Sequence, residues 1–218
     1  MKVAKPAIQD FLVAQAICNN YELPPESHPW RWTQAWDAIL KQGAEIGKGF
    51  ERGLIKASGL QTTSAMQIRG QIAGHHSTAM QAVALMLKFV VSADLRDNHI
   101  DDADAKQIAE ALTHAKKLTK LNLVGNRISD LGAAQIAKAI NNSPGCPMTE
   151  LDLSRNKKLN DGTGEALNEL ARACSSSALL NSLELSHCLL SDESGIVFCQ
   201  GFGKGTGATE EGKKPRAV

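Results

Sequence analysis

The sequence predicts an α/β solenoid, with short parallel strands inside and helices outside, preceded by an all-α N-terminal region. Three observations carry this prediction. In LTKLNLVGNRI, Leu118 to Ile128, apolar residues recur at spacings of three, two and five. Such spacing fits neither the 3.6-residue period of a helix nor the two-residue period of a half-buried strand. The same spacing returns around it, between Val90 and Leu190, in segments that otherwise differ. Between the copies a second signature in helical phase reads IAEAL at Ile108 to Leu112, IAKAI at Ile136 to Ile140 and LARAC at Leu170 to Cys174.

The N-terminal region, 1–88, carries no repeat and reads as helical throughout. Its first stretch, MKVAKPAIQDFLVAQAICNN, is interrupted by Gln9, Asp10 and Gln15 and is followed by no small-residue cleavage site, so it reads as a helix rather than a signal peptide. After the breaker run LPPESHP, the residues Trp32, Trp36, Ile39 and Leu40 fall on one face of an amphipathic helix. Further faces run through Ile46, Phe50 and Leu54, and through Met80, Val83 and Leu87. Core packing explains all three, because the open end of a solenoid must be covered by apolar surface. Trp30, Trp32 and Trp36 cannot all point the same way on a helix, so at least one is expected at the surface or against a partner. Seven glycines between Gly43 and Gly74 each cost about 1 kcal/mol in a helix interior. Close helix contact or a partner surface would offset that cost.

From 89 to 202 the pattern is L-x-x-L-x-L-x-x-N-x-I. It reads Val90, Ala93, Leu95, Asn98, Ile100, then the quoted stretch with Asn126, then Met148, Leu151, Leu153, Asn156 and, one residue late, Leu159. A fourth copy runs Leu180, Leu183, Leu185, Cys188, Leu190. The Asn or Cys positions are 28, 30 and 32 residues apart. Here the chain resembles leucine-rich repeats of the ribonuclease-inhibitor type, whose units have about this length and accept Asn or Cys at that position. The resemblance implies a short leucine-rich-repeat solenoid of about four units that binds proteins on its concave strand face. Within each strand the flanking leucines point inward, so Leu121, Leu123, Leu151 and Leu153 are expected to be buried. Asn126 and its equivalents sit where the chain leaves the strand, and a side-chain amide there would satisfy backbone groups the turn leaves unpaired. Three departures stand out: Ala93 is small where leucine is expected, Lys157 and Lys158 form an insertion, and GIVFCQGFGKGTG turns glycine-rich, as though the last unit lacked a full helix. Residues 203–218 have the composition of a flexible or partner-ordered tail.

Composition points to a soluble, intracellular protein, cytoplasmic or inside an organelle as part of a complex. The chain has 218 residues, 43% of them apolar, and 24 basic against 23 acidic residues leave a charge of +1, so no global field draws it to nucleic acid or an anionic membrane. Its five cysteines are odd in number and widely spread, which argues against a disulfide framework or a zinc site, and no window approaches the apolar length of a membrane span.

Catalytic and cofactor chemistry finds no support. His75 and His76 are adjacent and would diverge on a helix instead of chelating one metal. GFGKGTGA, Gly201 to Ala208, lacks the full Walker spacing and a preceding strand, and Ser175 to Ser177 fall in a loop. Asp101, Asp102 and Asp104 suit a helix start. The expectation is therefore a non-catalytic, cofactor-free interaction module and accessory subunit that binds other protein subunits. The alternative is a regulatory binder of one partner, a GTPase or actin, by analogy with Ran GTPase-activating proteins and tropomodulin, although no functional residues match theirs. The residues between the inward leucines, Asp94, Asn122, Asp152 and Glu184, should form a column on the concave face that receives a basic segment of a partner. Arg96 and Arg155 would lie at its edge and set the register, with Trp30, Trp32 and Trp36 as further contact candidates.

Overall fold

A computed structural model describes residues 6–60, 65–72, 77–143, 145–159, 164–176 and 180–205. The helical N-terminal region comprises α1 (Pro6–Cys18), α2 (Asp37–Ile46) and α3 (Lys48–Ala57), with three short 3-10 turns between α1 and α2. Then β1 (Ala65–Gln67), α4 (Ser77–Leu87), β2 (Ser92–Asp94), α5 (Asp102–Leu112), β3 (Lys120–Asn122), α6 (Asp130–Asn141), β4 (Glu150–Asp152), α7 (Glu165–Ser176), β5 (Ser182–Glu184) and α8 (Asp192–Gly205) alternate strand with helix. The strands form one five-stranded sheet in the order β1 to β5, each paired in parallel with the next. The outer helices α4 to α8 pack in succession. This is an α/β fold, a short leucine-rich-repeat solenoid joined to a helical N-terminal region.

Burial follows the repeat spacing. Leu121, Leu123, Leu151 and Leu153 are all at most 2% exposed, and the register aligns Met66, Ala93, Leu121, Leu151 and Leu183. One continuous apolar cluster runs from Ala14 in α1 to Leu180 before β5. In the last described unit, by contrast, Leu183 and Leu185 are only half-buried, and Leu189 and Ile196 are exposed.

The asparagines act as ladder rungs between units. Asn126 Oδ1 accepts the N–H groups of Asn98 and Ile100 at 3.0 and 3.1 Å, and its Nδ2 donates to the carbonyls of Leu95 and Leu123 at 3.1 and 2.8 Å. Asn156 accepts from Ile128 and donates to Leu123 and Leu153; Asn98 accepts from Gln71 and Ile72 and donates to Ile68. Cys188 continues the series, its Sγ donating to the Leu153 carbonyl at 3.4 Å. Backbone amides that no strand pairs are thus satisfied by side chains.

The structure departs from expectation in several places. A strand, β1, lies in the region read as helical, with Met66 and Ile68 fully buried. The last unit does have a full helix, α8. Its glycine serves close packing, since a Cβ at Gly201 would lie 2.6 Å from the Cβ of Ala171 on α7. Asp101 forms a capping box with Asp104 at the start of α5, as a helix-start carboxylate should. Asp102 instead reaches the next unit, accepting from the Ser129 N–H, the Ser129 hydroxyl and the Gly132 N–H at the start of α6. The five cysteines are unpaired. His75 and His76 and the end of the glycine-rich tail lie outside the described residues.

The amphipathic helix proposed to begin at Trp32 starts only at Asp37. Trp32 follows the turn Pro29–Arg31, and Trp36 closes the turn Gln34–Trp36. Their rings stack at 4.5 Å, and the Trp32 indole N–H donates to the Ser27 carbonyl at 2.8 Å. These turns pack on α4, the helix of the first unit. Close helix contact accounts for two of the glycines. A Cβ at Gly53 would lie 2.0 Å from the Ile17 carbonyl oxygen of α1, and one at Gly43 would lie 2.3 Å from the Phe50 ring.

Candidate interaction surface

Strand register places Gln67, Asp94, Asn122, Asp152 and Glu184 in one column and Ala65, Ser92, Lys120, Glu150 and Ser182 in a second. Both columns line a shallow concave cavity of about 250 Å³. Neighbouring strands are about 4.8 Å apart, so unlike charges facing each other attract and like charges repel. The column predicted from sequence is therefore present as a geometric feature.

Its charge is unevenly compensated. Asp94 is gripped by Arg96, whose Nε lies 2.8 Å from Oδ1 and whose Nη2 lies 2.5 Å from Oδ2. This hydrogen-bonded guanidinium holds the Asp94 carboxyl below the ordinary carboxylate value. Lys120 pairs with Glu150 at 2.7 Å in the second column. Asn122 is neutral, and its Oδ1 accepts the Val124 N–H. Asp152 accepts only the Ser154 N–H at 3.0 Å, and neither it nor Glu184 has an ion-pair partner among the described residues. The carboxylates of the column without an ion pair thus stand where β4 meets β5, with Arg96 attracting Asp152 only from a distance.

The pairing of Asp94 has a pH signature. A carboxyl whose pKa is lowered on folding adds stability that is complete above the unfolded value, about 4, and is lost as pH falls through the lower folded value. Arg96→Gln should therefore cost stability near neutral pH, by under about 1 kcal/mol for so open a pair. The difference from the parent should shrink on acidification and vanish once pH has fallen through the lowered folded value of Asp94. Urea midpoints measured across that range check it; a difference that persists at the acid end counts against the pair.

The other predicted contact residues take different places. Arg96 is tied to Asp94 instead of standing free at the edge. Arg155 is exposed, with φ of 60°, and lies on the turn edge of the solenoid, where a groove of about 760 Å³ is lined with other basic residues. Trp30 and Trp32 are buried and Trp36 is half-buried. None of the three is fully exposed, since the turns that carry Trp30 and Trp36 pack against α4. Sequence reasoning missed the Lys120–Glu150 pair, which becomes visible only once the register is known. It also missed the turn edge, although glycines at Gly70 and Gly125 mark one position of it.

Among the described residues no group of three or more His, Cys, Asp or Glu side chains is placed to hold a metal ion, and no helix is long and apolar enough to cross a membrane. Residues 114–137, running from just after α5 through β3 into α6, match the family model described as Leucine Rich repeat. No curated protein matches the chain in sequence. The family match and the fold support a leucine-rich repeat protein, and the repeat supports a protein–protein interaction module.

Proposed function

We propose that this protein is a non-catalytic accessory subunit of a larger assembly, with repeats of the ribonuclease-inhibitor type, and that its concave strand face receives a basic segment of a neighbouring protein. The observation that carries this reading is the pair Asp152 and Glu184. They are aligned in register on adjacent strands and neither forms an ion pair among the described residues, while Asp94 and Glu150 on the same face are each paired within the chain. Two like charges side by side lower stability, and a lysine or arginine from outside would relieve that repulsion while setting partner choice and register.

The double variant Asp152→Asn, Glu184→Gln should then be slightly more stable in isolation, by a few tenths of a kcal/mol to about 1 kcal/mol. It should bind the native partner more weakly than the parent does, and the deficit should shrink as salt screens the attraction. Copurification from the native source identifies that partner. Recovery as a lone monomer contradicts the subunit reading, and unchanged partner affinity of the double variant at low salt rules out the strip.

A further inference from the structure

The edge where the strands turn outward carries a second charged surface, opposite in sign to the concave strip. Its groove is lined by His99, Arg127, Arg155, Lys157, Lys158 and His187, with the Gly125 and Asn126 backbone between them and no carboxylate. Arg155, Lys157 and Lys158 have no carboxylate partner among the described residues. We infer that this edge binds an acidic segment of a protein partner, independently of what occupies the concave face.

Two features set this groove apart from ordinary solvated charge. First, a cation of the groove stands near the wrong end of a helix: Arg127 lies two residues before Ser129, the N-cap of α6, whose N-terminus carries the positive end of the helix dipole. Another basic groove, around Lys48, Arg52, Lys116 and Lys117, differs in holding a carboxylate, Glu51, which is paired with Lys88 on the same lining. Second, two later units place large basic or imidazole side chains at a turn position whose left-handed backbone suits glycine. The residue before each ladder position is left-handed in all five units, at Gly70, Asp97, Gly125, Arg155 and His187. Glycine takes that conformation freely, whereas Arg155 and His187 adopt it against the contact between Cβ and the following carbonyl oxygen.

The occupant is a polypeptide rather than a nucleic acid. Asp152 stands at the end of β4 and Arg155 in the turn that follows it, so the surface changes sign over three residues. A uniform polyanion crossing that boundary would meet Asp152 and Glu184, while a polypeptide can present acidic and basic blocks side by side. No Phe, Tyr or Trp lines the groove to stack a base.

The test uses the full chain and fluorescence anisotropy at low salt, with a short labelled glutamate–serine peptide as probe. The variant Arg155→Gly, Lys157→Gln, Lys158→Gln should bind the peptide roughly tenfold more weakly or worse. Arg155→Gly relieves the left-handed strain, so a loss of binding cannot be put down to unfolding. The charge-matched variant Lys48→Gln, Lys116→Gln, Lys117→Gln should bind as the parent does. So should Asp152→Asn, Glu184→Gln, which separates this surface from the concave strip. The inference is overturned if the parent does not bind the peptide, if both lysine variants weaken it equally, or if an oligothymidylate of equal length binds at least as tightly.

Discussion

Replacing Leu123 with alanine is expected to cost about 2 to 5 kcal/mol, a large share of the stability of a solenoid this short. The side chain is fully buried beneath β3, inside the one cluster that runs through every unit. Its removal loses transfer free energy and leaves a void that stacked strands, each pinned on both sides, are poorly able to close. The backbone around it stays engaged: the Leu123 N–H donates to the Asp152 carbonyl at 2.8 Å, and its own carbonyl accepts from both Asn126 and Asn156. The loss is thus a packing loss, and urea unfolding measures it directly. A change below about 0.5 kcal/mol, ordinary for a surface position, would show that the register of β3 is wrong.

Asn126→Ala is expected to destabilise by about 3 kcal/mol or more, without any change in apolar packing. Three backbone groups lose their side-chain partner at once, the amides of Asn98 and Ile100 and the carbonyl of Leu95, while the Leu123 carbonyl keeps only Asn156, and each buried polar group left unpaired costs about 1 to 3 kcal/mol. Asn126→Asp separates the two halves of the effect. It keeps an acceptor for the two amides but turns a second oxygen towards the two carbonyls, so it should be at least as damaging as alanine near neutral pH. Thermal or urea unfolding of both variants decides the matter, and an aspartate variant as stable as the parent would contradict the donor role.

The strands from Ala93 onward were legible because inward leucines and a buried amide impose a spacing that no other structure needs. The first strand was not, since Met66 and Ile68 are too few to make a pattern and Gln71 stands where asparagine is expected. Helix α8 was hidden by Gly201, which looks like a helix breaker but is the residue that lets α8 approach Ala171 and Asn168 on α7. The tryptophan spacing imitated a helix because two 3-10 turns bring Trp32 and Trp36 together much as one α-turn would. Of the interaction surface, the concave column followed from alternation alone, while its pattern of neutralised and bare charges required the register.

The ladder of amides also determines where this molecule can be divided. The sequence marks its units by their leucines, but each asparagine completes the hydrogen bonding of the unit before it: Asn126 serves Leu95, Asn98 and Ile100, and Asn156 serves Leu123 and Ile128. A cut between β3 and β4, at a place the repeat pattern presents as a natural joint, would leave the Ile128 amide without its acceptor and remove one of the two donors to the Leu123 carbonyl. Covalent modules and structural modules are therefore offset by one rung. A graft or truncation that respects the leucines alone removes from the remaining piece the side chain that closes its last turn.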